Sequence, residues 1–261
     1  MQELIAQLLR LYLPIGAGVP DGLERHLDGI ATGSFDLVKD GAVRAIVLPF
    51  DRPASRNGPD PWERLCEVAN ALQGELALPA PAVSVSGATG FRLWLSFGEA
   101  VPVAAAQQFA DLLRAAYCPD IALPSQGVQA PVALPPHRYP STDKWAAFIH
   151  PGMGASFADE PALEVAPPLA AQAAFLQGLQ SIGHEQLAHA LALLQPVPAQ
   201  PSLPAQPAGQ SSQATAHAGA ATPANGLPQD LLLKDATLED IVRFLHARNI
   251  EPTFRHLLPP R

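Results

Sequence analysis

One stretch of this chain carries residue types and spacing that can do chemistry. A β-rich run over residues 82–86 leads into the turn Ser86-Gly87-Ala88-Thr89-Gly90, and Phe91-Arg92-Leu93-Trp94-Leu95-Ser96-Phe97 leads out with alternating character. Glycine accepts positive φ at little steric cost, so such a turn can aim backbone N–H groups at an anion. Arg92, second on the outgoing strand, stands beside that anion with a guanidinium suited to bidentate phosphate contact. Ser86, Gly87, Gly90 and Arg92 therefore form a candidate phosphate-binding group. Two more cations are candidates for the same role. Arg138 lies in His137-Arg138-Tyr139, which can present a cation and an aromatic to a phosphate and a base as single-strand binders do, or form a solvated proline-rich turn. Lys144 follows six residues later.

Other chemistries find little footing. His150-Pro-Gly-Met-Gly-Ala155 has glycines but not the helix and lysine of a P-loop. His184 and His189, five apart on a helical stretch, do not share a face as metal ligands do, and read as surface residues. No Gly-x-Ser-x-Gly elbow accompanies any serine, which argues against hydrolase chemistry. Trp62, Trp94 and Trp145 follow apolar patterns and read as core or groove-wall residues.

The elements that must position these groups alternate. A helix over residues 2–13 is followed by an irregular stretch, a strand near 33–38, a turn at 39–41 and a strand over 43–48. A helix over 62–76 carries Leu65, Val68, Ala69 and Leu72 on one face. Strands at 82–86 and 91–97 precede a helix over 103–117 with Phe109, Leu112, Leu113 and Ala116 inward. A loop-rich run 119–144, strands at 145–150 and 163–165, and one helix from 169 into the 190s complete the body. This order predicts an α+β fold, with α/β alternation, around a mixed sheet.

Composition divides the chain in three. Residues 1–195 form the folded body. Residues 196–229 are Pro, Ala, Gln, Ser and Gly almost throughout and bury too little to offset their ordering entropy, so they read as a flexible linker. Residues 230–261 regain helical periodicity: Thr237-Leu-Glu-Asp240 resembles a capping box, Leu238, Ile241, Val242 and Leu245 share a face, and Asn249 with Pro252 ends the helix. That element is too short to stand alone, so it either docks back on the body or serves as a tethered site for a protein partner, and the long linker favours the second. The net charge of −8 and only 15% charged residues argue against a surface that grips nucleic acid everywhere, and allow a local groove. Cys66 and Cys118 read as reduced, buried thiols. The first residues lack the basic region and cleavage site of a signal peptide, and no run is long enough to span a bilayer, so the expectation is a cytoplasmic protein with no membrane partner.

Five collinear segments over residues 22–150 carry a family resemblance. They are Glu24-Arg-His-Leu-Asp-Gly29, the turn and strand Ser86 to Phe97, Leu123-Pro-Ser-Gln126, Val132-Ala-Leu-Pro135 and Asp143-Lys-Trp-Ala-Ala-Phe148. Together they resemble the archaeo-eukaryotic primase-polymerases, with the greatest similarity to the primase domain of TOTE conflict systems. The resemblance implies a primase-polymerase-like domain with an RRM-like core. It also implies an acidic pair, two apart on one strand face, holding Mg²⁺ or Mn²⁺ against the phosphates. In the corresponding strand the second acid is Asp51, while Pro49 stands where the first would be. Arg92 stands where the family has a nucleotide-contacting histidine. A third acid would come from Glu164, or from its neighbours Asp159 and Glu160.

The expected function is therefore that of a primase-polymerase-like protein with an eroded centre, binding nucleotide or single-stranded DNA in a replication, mobile-element or defence process. Two alternatives stand beside it. One is an active metal-dependent enzyme in which Asp51 joins Asp36, Asp60 or Glu164. The other is a non-catalytic scaffold that recruits a partner through residues 230–261.

Overall fold

The computed structural model describes residues 1–52 and 60–195. The chain divides into two units at Gln200; the second, with the expected linker 196–229 and helical element 230–261, lies outside the described residues.

Helix α1 (Gln2–Leu11) and the short α2 (Leu23–Leu27) precede strand β1 (Val38–Lys39) and the long β2 (Ala42–Asp51). Helix α3 (Pro61–Gly74) starts where the Asp60 side chain accepts hydrogen bonds from the Trp62 and Glu63 amides, with Pro61 filling a position that needs no N–H. Strand β3 (Ala82–Val85), strand β4 (Gly90–Pro102) and helix α4 (Val103–Tyr117) follow. Ala106, Phe109, Ala110 and Leu113 form the buried stripe of α4 at helical spacing. Strands β5 (His137–Arg138) and β6 (Trp145–Ile149) and helices α5 (Leu169–Gln177) and α6 (His184–Leu194) complete the series. No described helix is long and apolar enough to cross a membrane.

The sheet is six-stranded in the order β1-β2-β4-β3-β6-β5. Every strand pairing is antiparallel, which corrects the expected mixed sheet. The reason lies in β4. Strands β2 and β3, joined through α3, do run the same way, but β4 inserts between them and pairs antiparallel with both. The one parallel contact among the described residues is an isolated bridge from Phe97 to Ile182. That bridge also explains why the expected helix from 169 into the 190s is two helices. Residues 178–183 leave the helical path, Ile182 N–H donates to the Ser96 carbonyl (2.7 Å), and Gly98 N–H donates to Ile182 (2.9 Å). Residue 163 forms only a bridge to Trp145, not the expected strand.

Alternation along each strand builds two cores. Ile46, Leu48, Phe50, Phe91, Leu93 and Leu95 face α3 and α4. A bulge between Val43 and Ala45 brings Val43 to that same side. The opposite face presents Ala45, Trp94 and Phe148 to α1 and α5, where Leu4, Leu8, Tyr12 and Leu176 complete a second core. Gln172 of α5 is buried there and satisfies both backbone groups of Phe148, accepting from its N–H at 2.8 Å and donating to its carbonyl at 2.9 Å. Helices α1 and α5 cover only one end of this face. The other end is open.

Candidate functional site

At that open end a cleft of about 440 Å³ lies on the sheet. Its floor follows from register. Val47, Pro49 and Asp51 share one face of β2, and Pro49 pairs with Arg92 while Val47 pairs with Trp94. Ser84 lies across β4 from Pro49, and its hydroxyl accepts from the Trp94 indole N–H at 2.9 Å. Ser86, Thr89, His137, Tyr139 and Ala146 close one end, and residues 122–135 form a roof through Leu123, Pro124, Val132, Ala133 and Pro135.

The roof is held by a buried histidine of α2. Gly33 N–H donates to His26 Nδ1 (3.0 Å), which leaves the proton on Nε2 to be donated to the Leu134 carbonyl (2.8 Å). His26 also meets Phe35 edge-on and stacks on His137, with centroids 5.0 Å apart in both pairs. Burial lowers the pKa of His26, against an opposing effect of the Leu134 carbonyl. His137 is 5% exposed and its Nδ1 has no hydrogen-bond partner. Burial first, then His26, push its pKa down to about 4, so at neutral pH both rings are uncharged. His137 is therefore not part of a solvated turn but a wall of the cleft.

The Ser-Gly turn is placed as expected, yet its amides are already partnered. Ser86 Oγ accepts from Ala88 N–H (3.2 Å), Thr89 N–H (3.0 Å) and Gly90 N–H (3.0 Å), and Gly87 N–H donates to the Pro161 carbonyl (3.0 Å). The serine hydroxyl occupies the place an anion would take. Both glycines have packing reasons. A Cβ on Gly90 would stand 2.1 Å from the Phe50 carbonyl oxygen, and Gly87 has φ +80° with the Ala146 amide 3.0 Å from where a Cβ would be.

Arg92 remains the cation of the cleft, and Asp51 holds it. Arg92 donates to Asp51 Oδ1 at 2.8 Å and to the Phe91 carbonyl at 2.8 Å, and Thr89 Oγ1 donates to the same Oδ1 at 2.7 Å. The other candidates lie outside the lining. Arg138 pairs with Asp143 (2.6 Å), and Lys144 pairs with Glu164 (2.8 Å) and Glu160. Asp36 is exposed and Asp60 caps α3. Among the described residues no three acids, histidines or cysteines are placed to hold a metal ion. The residues present thus do not fit the divalent-cation site that the resemblance implies. Pro49 offers no ligand, and Asp51 already accepts two hydrogen bonds on one oxygen, one of them from a guanidinium.

Sequence reasoning missed the His26–Leu134 tie, the stacked histidines and the Ser84–Trp94 pair. His26 lies inside the segment Glu24–Gly29, but only the fold brings residues 26 and 134 together. Comparison with protein-family models and with curated proteins returns no match for this chain.

Proposed function

We propose that this chain is a primase-polymerase-like protein whose catalytic centre has become a binding site. In this reading the cleft takes a nucleotide or single-stranded nucleic acid in a replication, mobile-element or defence process, without ordinary metal-dependent nucleotidyl transfer. One observation carries it. The five segments that bear the resemblance are spread over more than a hundred residues, and they meet at one cleft. Four line it, through Arg92, Leu123, Val132 and Ala146 among others, and the fifth supplies His26 beneath the roof.

The strand order adds support as far as it goes, since β2-α3-β3-β4 with β4 in the middle is the split βαβ half of an RRM-like core, while β6 joins beside β3 and not beside β2. Pro49 and Arg92, the two departures from the family pattern, are direct neighbours in register. One substitution removes a metal ligand and the other supplies a cation in the metal's stead, so the pair changes the site from metal-held to guanidinium-held phosphate. Residues 230–261, outside the described residues, would then bring the domain to a protein partner.

Fluorescence anisotropy of a labelled nucleoside triphosphate and of labelled single-stranded DNA tests this. Arg92→Gln should weaken both by about tenfold or more, as loss of a charge-assisted hydrogen bond of about 1.5–3 kcal/mol requires. Unchanged binding in the variant, or none in the wild type, would overturn the reading.

A further inference from the structure

Arg92 has room for one phosphate. Its Nη1 donates to Asp51 Oδ1 and to the Phe91 carbonyl, both at 2.8 Å, while Nε and Nη2 have no partner among the described residues. Those two N–H groups lie side by side on one edge of the guanidinium, the edge that grips a phosphate through two parallel hydrogen bonds. A second phosphate finds no comparable partner. Among the described residues that line the cleft, Arg92 and Asp51 alone are charged, since burial keeps His137 neutral. Arg52, next to Asp51 in sequence, is turned to the carbonyls of Ala158 and Asp159, and Arg138 and Lys144 are paired with acids outside the cleft. The amides of the Ser-Gly turn already donate to Ser86 Oγ and the Pro161 carbonyl. Among the described residues no three acids, histidines or cysteines are placed to hold a cation that would bridge further phosphates.

We propose that the cleft selects its ligand by a single phosphate, taken on the Nε–Nη2 edge of Arg92, and that the remaining phosphates of a nucleoside triphosphate add nothing to binding. This rests on the reading of the cleft as a nucleotide site, and narrows it to a nucleoside monophosphate unit, free or within a strand. Asp51 enforces the limit. Its carboxylate stays on Nη1 and is 40% exposed, so any further phosphate meets a like charge and no second guanidinium. The half-buried Leu123, Val132 and Ala133 line the cleft with apolar surface, which suits a sugar and base better than a chain of anions.

Isothermal titration calorimetry of the full chain with thymidine 5′-monophosphate, thymidine 5′-triphosphate and the dinucleotide TpT, whose one phosphate is internal, tests this with and without Mn²⁺. The triphosphate should bind no tighter than the monophosphate in either condition. Asp51→Asn should shift the ratio of the two several-fold toward the triphosphate, whereas a merely structural role for Asp51 would weaken both alike. TpT as tight as the monophosphate would assign the single phosphate to a strand, and weaker TpT would assign it to the free nucleotide; both agree with the proposal. A triphosphate tighter by about tenfold or more, the gain expected of one further charge-assisted contact, would overturn the single-phosphate limit and leave the nucleotide site standing. An unchanged ratio in Asp51→Asn would overturn the part given to Asp51. Failure of all three ligands to bind the wild type would overturn both readings.

Discussion

At the scale of single residues, Ser86 and Gly90 show what a motif conceals. A Ser-Gly turn before a strand was legible as a turn, and Arg92 was legible as the cation beside it. The use of the amides was not, because a serine hydroxyl and a bound anion make the same demand on a backbone turn. Ser86 Oγ accepts three amide hydrogen bonds. Ser86→Ala should therefore destabilise the fold by about 1–3 kcal/mol, chiefly the cost of leaving the buried Gly90 N–H unmet. A urea melt reads this, and a variant as stable as wild type would free the amides for an anion after all. Gly90→Ala sets a methyl group against the Phe50 carbonyl, which strand pairing holds in place. The expected loss is about 1–3 kcal/mol with β2 and β4 pushed apart, and a crystal structure showing an undisturbed register would contradict it.

Among elements, α2 and the roof are coupled through the two neutral histidines. A ring whose pKa is lower folded than unfolded binds fewer protons in the native state, so stability falls as pH drops through the unfolded value toward the folded one. For His137, with a folded value of about 4 against 6.5 unfolded, the loss between pH 7 and pH 4 is on the order of 3 kcal/mol. Acidification also protonates His26 Nδ1, which can then no longer accept from Gly33. His137→Leu should flatten the pH dependence of the urea midpoint between pH 7 and pH 4 relative to wild type. Parallel pH profiles for the two proteins would contradict a buried neutral ring.

Element identity was largely legible, because periodicity reports burial. Helix α4 spans the expected residues 103–117, β3 and β6 match the expected runs to within one residue, and β2 and β4 extend three and five residues past their expected ends. Strand neighbours were not legible. A strand-helix-strand pattern reads the same whether the two strands touch or a third lies between them, and only the placement of β4 decides it. The break at 178–183 was hidden for a similar reason: the apolar pattern around Ile182 suits a helix, and its partner Phe97 is 85 residues away.

For the whole molecule, residues 1–195 should be self-sufficient. Among the described residues, the two cores draw their buried side chains from residues 4–190. A chain ending at residue 195 should melt within about 2–4 °C of the full chain, a shift equivalent to about 1 kcal/mol at this size, and bind nucleotide equally well. A large drop in either would make residues 196–261 part of the folded unit. The central claim, that Arg92 and not a metal holds the phosphate, is tested most directly by nucleoside triphosphate binding to Asp51→Asn with and without Mn²⁺. Removing the carboxylate that competes for Arg92 should leave binding as tight as wild type or tighter, with no dependence on Mn²⁺. Wild-type binding that requires Mn²⁺ and is lost in Asp51→Asn would make Asp51 a metal ligand and contradict the account.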